Sequence, residues 1–135
     1  MAKVDFEKLK KRYGPRERIE FCPAWDGEVT LRRASSEERM EAALLLSSVE
    51  LDENRKPVDS RSMIRCGIPL VSQTIVEGDV RPFDSDEGRE ELLEYHMMAV
   101  VELLPAVLEI NLLGKAASEA VDEAKKNLIP AASGE

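Results

Sequence analysis

The chain has one histidine, His96, and two cysteines, Cys22 and Cys66. A cysteine beside a histidine can serve as nucleophile and base, because the imidazole takes up the thiol proton. Neither cysteine, however, has a helix start or a basic cluster beside it that would favour the thiolate. The two lack C-x-x-C spacing, and with one histidine they are too few to close a zinc site. Asp79, Asp84, Asp86 and Glu87 form a loose acidic cluster without EF-hand spacing. Asp84 and Glu87 have a simpler use as a D-x-x-E capping box at a helix start. The chain contains no G-x-S-x-G and no P-loop. No catalytic, cofactor-binding or metal-binding residue is assigned. The side chains left for recognition are apolar. Trp25, at a turn, reads either as a binding anchor or as the aromatic that pins the turn to the body. Met97 and Met98 are suited to adaptable apolar contact.

Charge narrows the partners. The 135 residues carry a net charge of −8, so the chain has no basic stripe for a phosphate backbone. The charge is uneven: residues 1–18 hold seven basic and three acidic groups, +4, and residues 77–94 hold two basic and eight acidic, −6. Such polarity can steer a basic partner or a second copy of the chain. The charged N-terminus does not read as a signal peptide, which points to a reducing compartment and free thiols.

The elements that must position these residues follow from periodicity and punctuation. Residues 3–13 have a weak helical pattern closed by Gly14-Pro15. Residues 18–34 alternate as a β-hairpin around Asp26-Gly27. A three-residue loop, Trp25-Asp26-Gly27, would pair Phe21 with Leu31 and Pro23 with Val29 on one apolar face, with Gly27 left-handed. Pro23 marks an edge strand. Ser35 and Glu38 form an S-x-x-E capping box for a helix over 36–51, with Met40, Ala43, Leu44 and Leu51 as its apolar face. A polar loop covers 52–59. Residues 61–72 read as a short helix interrupted by Gly67 and Pro69, 73–76 as a short strand, and Gly78-Asp79 as a turn. A helix starts at Asp84 and runs into the apolar stretch 95–113.

That stretch, YHMMAVVELLPAVLEINLL, has a single polar stripe, Tyr95, Glu102 and Glu109, at spacing seven. A helix apolar on nearly all other sides must be buried on nearly all sides. It is not read as a membrane span. It is close to the lower limit of about 17 residues, and each glutamate would cost roughly 2.5–3.5 kcal/mol near a bilayer centre. Pro105 is expected to divide it into a core half, 95–104, and a half, 105–113, that faces a partner. Gly114 is the expected stop. Residues 115–127 read as a frayed helix and 128–135 as disordered.

Three passages in order resemble the tail assembly chaperones of long-tailed, siphovirus-type bacteriophages and prophages. They are CPAWDGEVTLRRASSEER (22–39), VEGDVRPFDSDEGREELL (76–93) and LEINLLG (108–114), the last followed by the charged DEAKKN (122–127). The resemblance covers roughly residues 18–127. It departs at Pro105, where the family usually has a good helix former, and at Leu112, where a small residue often follows the asparagine. The resemblance implies a non-enzymatic protein that binds the helical tape measure protein, keeps it soluble and assists assembly of the tail tube. The tail tube protein and a second copy are further partners; nucleic acid, membrane and cofactors are not expected. It also implies the cytoplasm of the bacterial host, absence from the mature virion, and a longer product of programmed frameshifting; Gly114-Lys115 and Lys125-Lys126-Asn127 are residues that slippery A-rich runs can encode.

The expected fold is α+β and mainly helical: an N-terminal β-hairpin on a bundle of about three to five helices. Residues 1–17 form a basic arm, 18–114 a single domain and 115–135 a charged, partly disordered tail. The expected partner-binding residues are Trp25, Met97, Met98, Val101, Leu104, Leu108 and Leu112. Two rival functions stay in view: an acidic mimic of nucleic acid, and a small thiol enzyme using Cys22 or Cys66.

Overall fold

The computed structural model describes residues 3–11, 14–54 and 57–113. The expectations for residues 114–135, including a stop at Gly114, lie outside that range. The described chain is α+β, with five α-helices and one three-stranded antiparallel sheet in the order β1-β2-β3. The elements are α1 (Phe6–Lys11), β1 (Glu17–Cys22), β2 (Gly27–Arg32), α2 (Ser36–Ser47), α3 (Ser60–Thr74), β3 (Ile75–Val76), α4 (Asp86–Tyr95) and α5 (Met97–Ile110). No helix among the described residues is long and apolar enough to cross a membrane.

The core is organised around α5. Val100, Val101, Leu103, Leu104, Val107 and Leu108 are all at most 1% exposed. Helices α3 and α4 and the hairpin surround it. The two glutamates of its polar stripe meet the hairpin, while Tyr95 of that stripe lies in α4 and is exposed. Glu102 Oε1 accepts from the Ala24 amide at 2.8 Å and from Cys22 Sγ at 3.7 Å, and Glu109 meets Arg18 at 3.4 Å.

This arrangement sets a hairpin register that differs from the expected one. Cys22 pairs with Gly27, Phe21 with Glu28 and Arg18 with Leu31. The loop has four residues: Pro23–Trp25 make a 3-10 turn, and Asp26 (φ 48°), not Gly27, takes the left-handed position. Cys22 and Leu31 point inward and are fully buried, whereas Ile19 and Phe21 lie on the outer face, more than half exposed. In this register Arg18 and Cys22, together with the Ala24 amide of the loop, donate to the carboxylates of α5. β1 is an edge strand, and Pro23 follows its last residue.

Other boundaries shift as well. The capping box of α2 is complete: the Ser35 hydroxyl accepts from the Glu38 amide, and Glu38 accepts from the Ser35 amide. The helix nevertheless buries Ala42, with Leu46 and Val49 also packed on the core, and leaves Met40 and Leu44 about two-thirds exposed. α3 is one uninterrupted helix despite Gly67 and Pro69. A methyl group at Gly67 would stand 2.7 Å from Leu104 Cδ1, so the glycine allows α3 and α5 to approach closely. α4 is capped by Ser85, whose hydroxyl accepts from the Gly88 amide. Asp84 instead ties Arg81 (3.1 Å) to Arg89 (2.9 Å).

The division within the apolar stretch falls at His96, the C-cap of α4 and the N-cap of α5, and not at Pro105. Pro105 sits inside α5. An interior proline costs about 3 kcal/mol, and the burial of both halves of this helix outweighs it. The helix ends in a Schellman motif two residues before Gly114. The Leu113 amide donates to Leu108 O, and the Leu112 amide to Glu109 O, with Leu112 at φ 61°. Asn111, fully buried, fastens this end. Its Oδ1 accepts from the Ala34 amide at 2.8 Å, and its Nδ2 donates to Thr74 Oγ1 at 3.0 Å and Val107 O at 2.7 Å.

Candidate functional site: an aromatic and methionine groove

The α4–α5 break brings three distant parts of the sequence together. Trp25 from the hairpin loop stacks on Phe83, with ring centroids 5.8 Å apart and 17° between planes. His96 meets both edge-on, at 5.4 Å and 5.9 Å. The indole Nε1–H donates to His96 Nδ1 at 3.1 Å. That bond requires an unprotonated Nδ1, so the neutral ring carries its proton on Nε2, which faces Glu91 at 3.4 Å. His96 is thereby committed to orienting Trp25.

Beside this cluster lies an open groove of about 290 Å³, lined by Ala24, Trp25, Glu94, Tyr95, His96, Met97, Met98 and Ala99. Tyr95 is 77% and Met98 46% exposed. The volume is at the lower edge of the roughly 300–1,000 Å³ of small-molecule sites.

Three of the seven expected partner residues, Trp25, Met97 and Met98, line this groove. Val101, Leu104 and Leu108 do not reach any surface; each is at most 1% exposed and packs in the core. A buried helix and an interface helix have the same periodicity, and here the chain's own segments cover these three positions. Leu112 is 38% exposed and occupies the left-handed cap at the far end of α5. Sequence reasoning left out Phe83, Glu94 and Tyr95, which adjoin the site. The adjacent Tyr95-His96 and Met97-Met98 pairs were the available signal.

The thiol chemistry runs the wrong way for a nucleophile. Cys22 is fully buried, and burial pushes its pKa up, with the neighbouring Glu102 carboxylate acting in the same direction. Cys66 lies within α3, half-buried. Among the described residues no group of three or more metal-ligating side chains converges.

The three passages that carry the family resemblance interlock. Arg81 forms a two-pronged ion pair with Glu38, at 2.8 and 2.9 Å, joining the second passage to the first. Trp25 on Phe83 joins them again. Asn111 on Ala34, and Arg33 Nε on Ile110 O at 2.7 Å, join the third passage to the first. Comparison of the chain with protein-family models, curated proteins and solved structures gives no match.

Proposed function

We propose that the chain is a non-enzymatic tail assembly chaperone of the long-tailed phage type. In this reading it holds apolar helical segments of a tape measure protein in solution while the tail tube assembles, in the cytoplasm of the host cell, and leaves before the virion is mature. The observation that carries the reading is the interlocking of the three resembling passages. Residues scattered from 25 to 111 account for one another as contacts holding a single fold, Glu38 with Arg81, Trp25 with Phe83, and Ala34 with Asn111. A shared pattern whose parts meet in space supports a shared architecture. The groove beside Trp25 then supplies an exposed apolar surface for the client.

The rival readings have less support. Glu20, Glu38, Asp84 and Glu102 are engaged by arginines or backbone amides within the fold, which leaves the short row on α4 rather than an extended array of carboxylates to imitate a phosphate backbone. The burial of Cys22 works against a thiolate.

The test is co-expression with a tape measure protein encoded beside this chain. The expected result is a soluble complex that Met98→Glu disrupts while far-UV circular dichroism stays native, since Met98 lies half-exposed at the groove. A tape measure protein equally soluble with and without the chain would overturn the proposal. The longer frameshifted product is a separate part of the reading, tested by mass spectrometry of the C-terminus expressed from the native gene.

A further inference from the structure

The groove is asymmetric in a way that the chaperone reading does not use. Its apolar lining comes from Ala24, Trp25, Met97, Met98 and Ala99. One wall continues into α4, which turns Glu87, Glu90, Glu91 and Glu94 to solvent. Their spacing places them along one side of the helix, ending at Glu94 on the rim. The single arginine of α4 is directed elsewhere: Arg89 bonds Ser72 at 3.0 Å and Asp84 at 2.9 Å. Among the described residues, Glu87, Glu90 and Glu94 have no ion-pair partner, and Glu91 meets only His96. An apolar trough beside unpaired carboxylates is complementary to a partner of opposite charge.

We propose that the groove takes a cationic amphipathic segment of another protein. Two or three of its apolar side chains fill the space beside Trp25 and Met98, and its lysines or arginines run along the α4 carboxylates. This rests on the chaperone reading only in taking the groove as the partner face; it adds the chemistry of the segment that binds. The apolar contacts hold the complex, and the charges set its register and hasten encounter. The charge also rejects partners. Nucleic acid and anionic membranes meet repulsion from a stretch, residues 77–94, that carries −6.

The chain has a single tryptophan, so Trp25 emission reports on the groove without a label. The full-length protein is titrated with a synthetic leucine–lysine amphipathic peptide of about four helical turns. The controls are the leucine–glutamate counterpart and a glycine–lysine peptide. The leucine–lysine peptide is expected to shift Trp25 emission and to bind at least about tenfold more tightly than either control. Its affinity should fall several-fold as salt is raised, because the α4 carboxylates are exposed and screened. Met98→Glu and the double substitution Glu90→Lys/Glu94→Lys should each weaken binding by roughly tenfold or more while leaving the circular dichroism unchanged.

Equal binding of the leucine–glutamate peptide, absence of an emission shift, or insensitivity to Met98→Glu would each overturn the proposal. So would a protein that self-associates without peptide and becomes monomeric on Met98→Glu, because a second copy would then occupy the groove. The two ideas fail separately. A tape measure protein that co-purifies while the leucine–lysine peptide does not bind leaves the chaperone reading standing and removes this one. The reverse result removes only the client.

Discussion

Replacing Asn111 tests the central claim about what holds this fold together. The side chain is fully buried and makes three hydrogen bonds, to the Ala34 amide, Thr74 Oγ1 and Val107 O. Asn111→Ala removes all three, but they are not equivalent. Val107 O keeps a partner, since it also accepts from the Asn111 backbone amide at 3.2 Å. The Thr74 hydroxyl can rotate to a new partner. The Ala34 amide, in a residue 4% exposed, loses its acceptor. An orphaned buried donor costs about 1–3 kcal/mol, and the vacated amide leaves a void that adds to this. The expected loss is therefore about 2–4 kcal/mol, a large share of the roughly 5–15 kcal/mol typical of a domain.

Asn111→Asp separates hydrogen bonding from volume. It keeps the acceptor for Ala34 and the shape, but places an ionisable oxygen against Val107 O in a dry site. Burial raises the folded-state pKa of such a carboxyl. The unfolded chain ionises near pH 4. The variant therefore loses stability, relative to wild type, as pH rises above that value, and regains it at acid pH, where the protonated carboxyl can donate to Val107 O. The assay is urea denaturation at pH 4 and pH 7, followed by Trp25 fluorescence and circular dichroism, with each variant compared with wild type at the same pH. An Asn111→Ala cost below about 1 kcal/mol at unchanged m, or an Asn111→Asp deficit independent of pH, would refute the reasoning.

Two further outcomes follow from other sites. Leu112 has φ 61° at the α5 cap, a conformation that costs a non-glycine residue about 1–2 kcal/mol. Leu112→Gly should therefore stabilise the protein by about 0.5–1 kcal/mol net of lost packing and added chain entropy, read as a higher urea midpoint at constant m; a lower midpoint would contradict the cap assignment. The Arg81 guanidinium holds the Glu38 carboxyl at about 2, well below its usual 4.5. A carboxyl depressed in the folded state stabilises above its unfolded pKa and loses that contribution as pH falls through the folded one. Both side chains touch solvent, at 23% and 32%, so the contribution is about 1–2 kcal/mol after screening. The stability gap between wild type and Glu38→Gln should be constant at neutral pH and close between about pH 4 and pH 2; a gap unchanged at pH 2 would remove the ion pair as its cause.

Local chemistry was legible wherever the partners were neighbours in sequence. The Ser35–Glu38 capping box, the hairpin around Asp26-Gly27, the turn at Gly78 and a helix within the apolar stretch could all be read directly. Features that depend on two distant segments could not. Phe21 faces outward and Cys22 inward, where it meets Glu102, eighty residues away. Met40 and Leu44 belong to an apolar stripe that the sequence assigns to the core, yet α2 rests on Ala42, Leu46 and Val49. Gly67 and Pro69 punctuate the sequence without breaking α3, because close contact with Leu104 selects the glycine. The candidate site was half visible. The apolar types Trp25, Met97 and Met98 stood out, but Val101, Leu104 and Leu108 show the same helical spacing and are core.

By itself, the sequence determined the composition of the parts. It set an acidic chain, an α+β element order, and one helix so apolar that the rest of the domain had to wrap it, because burial of apolar area dominates folding and periodicity records it. Only the tertiary structure decided which faces were left over. A buried helix and an interface helix satisfy the same pattern, and what distinguishes them is whether the chain's own segments arrive to cover them. Here the hairpin, α3 and α4 cover α5 on both sides of Pro105. What remains open to solvent is the groove at the start of the apolar stretch, where His96 ends α4 and orients Trp25.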